Sequence, residues 1–128
     1  MDEAVQDIGT DVGVIKISEE VVAIIAGIAA TEVTGVAGMS GGIAGGIAEI
    51  LGRKNLSKGV KVEVGEREAA IDLYLIVDYG CRIPDISWEI QEKVKNSVET
   101  MTGLNVVEVN INIQGVNIDK EYKGETID

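Results

Sequence analysis

From Ile71 to Val77 every second residue is aliphatic: Ile71, Leu73, Leu75 and Val77 alternate with Asp72, Tyr74 and Ile76. Successive side chains of a strand point to opposite faces, so Ala70–Asp78 reads as a strand with one apolar face. The same period of two runs through Val60–Val64, where Val60, Val62 and Val64 enclose Lys61 and Glu63. It returns in Leu104–Gln114, where Val107, Val109, Ile111 and Ile113 oppose Glu108, Asn110, Asn112 and Gln114. A short strand is expected at Gly13–Ile17, and Gly65-Glu66-Arg67-Glu68 suits a hairpin link. Strands of this kind need a second layer to cover their apolar side.

Two segments supply that layer. Ser18 is placed to cap a helix, and Glu19 and Glu20 put negative charge in its first turn, where the helix dipole favours it. This helix is expected to run to Thr34, with Gly35 as its stop. Its apolar residues cover more than one face, and Ala23, Gly27 and Ala30 form a flat strip for close approach. The second helix starts at Pro84-Asp85 and ends at Gly103. Ile86, Ile90, Val94, Val98 and Met101 form its apolar stripe, and Trp88 lies off that stripe. The expected fold is α+β: a small mixed sheet of about four strands, two main helices packed on one face, and a Gly-rich loop. The expected organisation is an acidic tail over 1–12, one domain over 13–117 and a polar tail over 118–128.

Composition limits the chemistry. The chain has 22 acidic and 11 basic residues, a formal charge of −11 and no histidine. Acidity of this order repels nucleic-acid phosphates and anionic membrane surfaces, so no nucleic-acid partner and no direct membrane insertion are expected. Without histidine, Ser-His, Cys-His and His-metal chemistry are all excluded. Cys81 stands alone, so no intrachain disulfide forms. The longest apolar run, Val21–Ala30, is too short to span a bilayer. The N-terminus is acidic, unlike a signal peptide. A cytoplasmic location, no cofactor and no metal are the expectations.

Gly35–Gly52 reads GVAGMSGGIAGGIAEILG. It lacks the Lys-Ser/Thr of a phosphate loop and does not carry a dinucleotide fingerprint after a strand. It reads as a loop, with a short helix over Ile43–Leu51, and Gly41, Gly42, Gly45 and Gly46 are candidate partner contacts. Arg53, Lys54, Lys58 and Lys61 form the one basic cluster. Trp88 is a candidate contact anchor, because tryptophan is enriched where binding energy concentrates.

Several segments match a known pattern together: Ala26–Met39 (AGIAATEVTGVAGM), Gly52–Val62 (GRKNLSKGVKV), Tyr79–Pro84 (YGCRIP) and Met101–Val116 (MTGLNVVEVNINIQGV). In order and spacing they resemble the alkaline-shock protein family of Gram-positive bacteria, also called the envelope stress response family. The resemblance implies a compact α/β domain without catalytic residues, cytoplasmic or held at the membrane through a partner. It implies self-assembly in some members and a link to cell-envelope stress. In one branch it implies control of fatty-acid synthesis through acetyl-CoA carboxylase. Partners implied are acetyl-CoA carboxylase subunits or a small membrane anchor protein, besides a homo-oligomer. Motif positions Arg53, Lys54, Arg82 and Pro84 mark the surface to test. Two functions follow: a non-enzymatic regulator acting by protein binding and self-association, or a sensor of a phosphorylated or acyl metabolite using the Gly-rich loop.

Overall fold

The computed structural model describes residues 5–41 and 57–118, residues 5–10 by their backbone. Its elements are β1 (Val5–Thr10), β2 (Gly13–Ser18), α1 (Glu19–Thr31), β3 (Val36–Met39), β4 (Val60–Val64), β5 (Glu68–Asp78), α2 (Ile83–Thr102) and β6 (Asn105–Asn117).

The run of alternating aliphatics is the centre of the molecule. β6 lies parallel to β5 along its whole length, from Glu68 opposite Asn105 to Asp78 opposite Asn117. The other side of β5 is shared end to end by two antiparallel strands. β4 pairs with Ala69–Leu73, and β3 pairs with Leu75–Val77. The sheet is therefore mixed, and β5–α2–β6 is the helical crossover that a parallel pair requires.

The buried side of β5 is Ala69, Ile71, Leu73, Leu75 and Val77. It meets Val22, Ile25, Ala26 and Ala29 of α1 and Ile86, Ile90, Val94 and Val98 of α2. Both helices thus cover one face of the sheet, as expected. The alanines of α1 carry little bulk, which lets it lie against both α2 and β4. Ser18 caps α1, its hydroxyl accepting the Val21 N–H at 3.3 Å. Gly103 ends α2 in the left-handed conformation.

Several boundaries differ from the sequence reading, each for a local reason. Residues 5–10, read as tail, pair with β2 through a tight turn at Asp11-Val12. α1 ends at Thr31 rather than Thr34, and Val33 turns inward to join the core. Gly35 then takes φ +107°, and its carbonyl accepts the Asp78 N–H at 2.8 Å. That φ is one that side chains rarely adopt, so the position favours glycine, and a Cβ there would also push Ile86 Cδ1 aside. The next residues, read as loop, form β3. Gly42, Gly45 and Gly46, the helix over Ile43–Leu51, and Arg53 and Lys54 lie outside the described residues. On α2, Thr102 rather than Met101 completes the buried stripe. Its hydroxyl donates to the Val98 carbonyl at 2.6 Å and accepts the Leu104 N–H at 3.0 Å. In β6 the strict alternation breaks. Ala69 pairs with Val106 but Ala70 pairs with Glu108, so Val107 is an extra residue. That bulge leaves Val107 exposed and buries Val106.

Candidate functional site

Helices cover one face of the sheet; among the described residues no element packs on the other. The uncovered face is organised as a polar ladder between β5 and β6. Asn110 Nδ2 donates to Asp72 Oδ1 at 2.8 Å, and Asn112 Nδ2 donates to the Leu73 carbonyl at 3.1 Å. Lys61 of β4 places its ammonium 5.7 Å from the Tyr74 ring centroid, within reach of a cation–π attraction. Glu63, Asp72, Asp78 and Glu108 lie on the same face of the sheet as Lys61, so the described part of that face is predominantly acidic.

The outer edge of β6 is treated differently along its length. Glu99 of α2 accepts the Val106 N–H at 2.9 Å, and Lys95 donates to the Val106 carbonyl at 3.2 Å. Gln91 donates to the Val109 carbonyl at 3.0 Å. Three side chains of one helix thus bond three backbone groups over the first half of the strand. Lys95 and Glu99 are also paired at 2.8 Å. The Lys95 hydrogen bond, followed by that from Val106, holds the Glu99 carboxyl below its ordinary value of 4.5 against a smaller opposing effect of desolvation. A depressed carboxylate contributes stability that is complete above its unfolded value and lost as pH falls through the folded one. Glu99→Gln should therefore weaken the protein at neutral pH and flatten its loss of stability below about pH 4.5, read as thermal midpoint against pH. An unchanged acid limb would remove Glu99 from that role.

Beyond Val109 no described side chain caps the edge. Exposed apolar residues gather near this end of the sheet instead: Tyr79, Ile83, Trp88, Val116 and Ile118, with Trp88 at 65% exposure. The Tyr79 N–H donates to the Asn117 carbonyl at 3.0 Å, which ties the end of β5 to the end of β6. Helical spacing puts Trp88 in line with Lys95 and Glu99 (seven and eleven residues on), hence on the β6 side of α2.

The sequence candidates fall in two places. Arg82, Pro84 and Trp88 come together at the start of α2; Arg82 is exposed and pairs with Asp85 at 3.3 Å. Gly41 follows β3, across β5 from β6. Gln91, Lys95, Glu99 and the asparagine ladder were not singled out from sequence. Their signals were the i, i+4 spacing of the helix residues and the Asn-x-Asn alternation of the strand.

A cleft of about 490 Å³ opens between the start of α1 and β4, lined by Glu19, Glu20, Lys61 and Glu63 among others. Three carboxylates against one lysine make this cleft a poor receptor for an anion such as a phosphorylated metabolite. Among the described residues no group of three or more metal-ligating side chains is placed to hold an ion. None of the described helices is long and apolar enough to cross a membrane.

A helix-backed mixed sheet with an open polar face and an exposed aromatic beside a strand edge defines a small α+β domain. The chain belongs to the alkaline-shock protein family, described as having a cell envelope-related function, whose model matches residues 7–118. It is 40% identical over 119 residues to the uncharacterized protein YqhY of Bacillus subtilis, covering 93% of this chain and 88% of that one. It is 41% identical to YloU of the same organism over 88% of this chain and 95% of that one. A stress response regulator gls24 homolog of Streptococcus pyogenes is 28% identical over 90% of this chain and 65% of its own length. Among solved structures, MamM CTD chains align with a TM-score of 0.47 and 16% identity, covering 76% of this chain and 94% of the other. The family expected from the sequence motifs is thus confirmed.

Proposed function

We propose that this protein is a non-enzymatic regulator of envelope or stress homeostasis that works by binding other proteins and copies of itself. The observation that carries this reading is the exposed apolar group around Trp88, set beside the uncapped end of β6. Exposed aromatic and aliphatic groups beside a free strand edge are what protein partners use, and a tryptophan there concentrates binding energy. The family description and the gls24-type relative support envelope and stress homeostasis as the field of action. The finer reading is control of lipid synthesis, with acetyl-CoA carboxylase subunits or a small membrane anchor protein as partners. The location is then the cytoplasm or, through such an anchor, the membrane periphery.

The test is cross-linking of the intact protein in lysate, followed by mass spectrometry, for the wild type and the triple variant Ile83→Ser, Trp88→Ser, Val116→Ser. Wild-type protein should capture a defined set of proteins that the variant loses while its melting curve is retained. Carboxylase subunits or a membrane protein in that set would choose the branch. An identical set from both proteins would exclude this surface, and an empty set would exclude the binding function.

A further inference from the structure

We infer that the uncapped half of β6 is a strand-addition edge whose occupant is the same strand of a second copy, with Trp88 of each copy packing on the other. This rests on the reading that the chain works through protein contacts that include itself, and it names the surface.

The inference starts from an asymmetry along one strand. An edge strand offers a row of unpaired backbone groups, and proteins ordinarily block them. Here the blocking is built for the first half only. Glu99, Lys95 and Gln91 take up the Val106 N–H, the Val106 carbonyl and the Val109 carbonyl. Backbone groups alternate in and out along a strand, and the Asn117 carbonyl points inward to Tyr79. The outward groups of Ile111, Ile113 and Val116 therefore continue the row, and no described residue hydrogen-bonds to that row beyond Val109. In place of a cap, α2 presents Trp88 at this level, exposed and one turn before Gln91.

The composition of the strand selects the occupant. Val109–Ile118 reads VNINIQGVNI and holds no charged residue, in a chain where 26% of residues are charged. Antiparallel pairing of two identical strands about a two-fold axis sets the residues near the axis against their own copies and the ends of one strand against the opposite ends of the other. A charge near the axis would meet its own like charge, which destabilises the pair. A strand with no charge avoids that clash wherever the axis falls. β-branched residues interleaved with Asn and Gln, free of charge and proline, are also the composition of strands that pair with their own kind. The capped half, by contrast, contains the exposed Glu108. The bulge at Gln114, where Leu75 pairs with Ile113 but Ile76 pairs with Gly115, interrupts the row between Ile113 and Val116, so the edge offers only short regular stretches. A short edge contact supplemented by two tryptophans gives a limited dimer rather than an open fibre.

The experiment uses the full chain. Sedimentation over a concentration series should show a monomer–dimer equilibrium. Because each copy carries a net charge of −11, dimerisation should strengthen as salt screens the repulsion. Hydrogen exchange should show the Ile111 and Ile113 amides fast in dilute protein and at least tenfold slower in concentrated protein. Trp88→Lys and Val116→Lys should each be monomeric with unchanged far-ultraviolet dichroism, and Trp88→Phe should still dimerise. A dimer that survives both lysine variants with those amides unprotected would overturn this surface while leaving self-association standing. A dimer that salt dissolves would also overturn it. A monomer at every concentration would overturn the surface and self-association together, leaving capture of other proteins to decide the broader reading.

Discussion

Gly59→Ala is expected to destabilise the protein by about 2–4 kcal/mol, summing the cost of a left-handed backbone and of overpacking. Gly59 has φ +78°, and a Cβ built on it would lie 2.9 Å from the carbonyl oxygens of both Ser40 and Tyr74. Those oxygens belong to the junction where β3 ends and β4 begins on the same side of β5. The Ser40 N–H donates to the Tyr74 carbonyl, and the Tyr74 N–H donates to the Gly59 carbonyl, both at 2.8 Å. A methyl group can be admitted only if one of these hydrogen bonds lengthens, because backbone atoms have no rotamer to move into. The control is Gly65→Ala, where the nearest atom is 3.9 Å away and φ is not positive; it should stay within about 0.5 kcal/mol of wild type. Chemical denaturation of both variants measures the difference. A Gly59→Ala protein as stable as the control would show that the two strand ends do not meet as described.

The strands that carry a clean period of two were legible in the sequence because burial on one side leaves its mark on every second residue. β4 and the body of β5 fall in that class. β1 carries no such mark: VQDIGT shows no alternation of apolar and polar residues, and its pairing with β2 is made by backbone groups that every residue has. β3 escaped because Val36-Ala37-Gly38-Met39 is short and sits in a glycine-rich run, so composition outweighed the pattern. Met101 and Thr102 exchanged places because hydrophobicity ranks Met first. The threonine hydroxyl is satisfied twice inside the helix end, which removes the cost of burying it. The bulge at Val107 cannot be read from alternation, since an inserted residue leaves the apolar count unchanged and shifts only the phase. The site divides the same way. Trp88 was recognisable as a tryptophan off its stripe, whereas the edge it flanks becomes visible only once β6 is known to be an outer strand with Gln91, Lys95 and Glu99 beside it.

Leu73→Ala should cost about 2–5 kcal/mol, the range for removing a buried leucine from a core that only partly collapses. Leu73 is fully buried at the centre of the sheet, opposite Val60 on one side and Ile111 on the other. Its neighbour Asp72 faces the other way, into the polar ladder with Asn110. Asp72→Ala removes one exposed hydrogen bond and should cost no more than about 1 kcal/mol. The contrast between adjacent residues tests the register itself, because a slip by one position would exchange their roles. A domain of this size has roughly 5–15 kcal/mol in total, so the leucine variant should lose a substantial part of its stability. The open-face variant should remain folded and usable in binding assays. Comparable losses for both variants would mean that the ladder face is covered, and the surface left for partners would then have to be sought on the β6 edge alone.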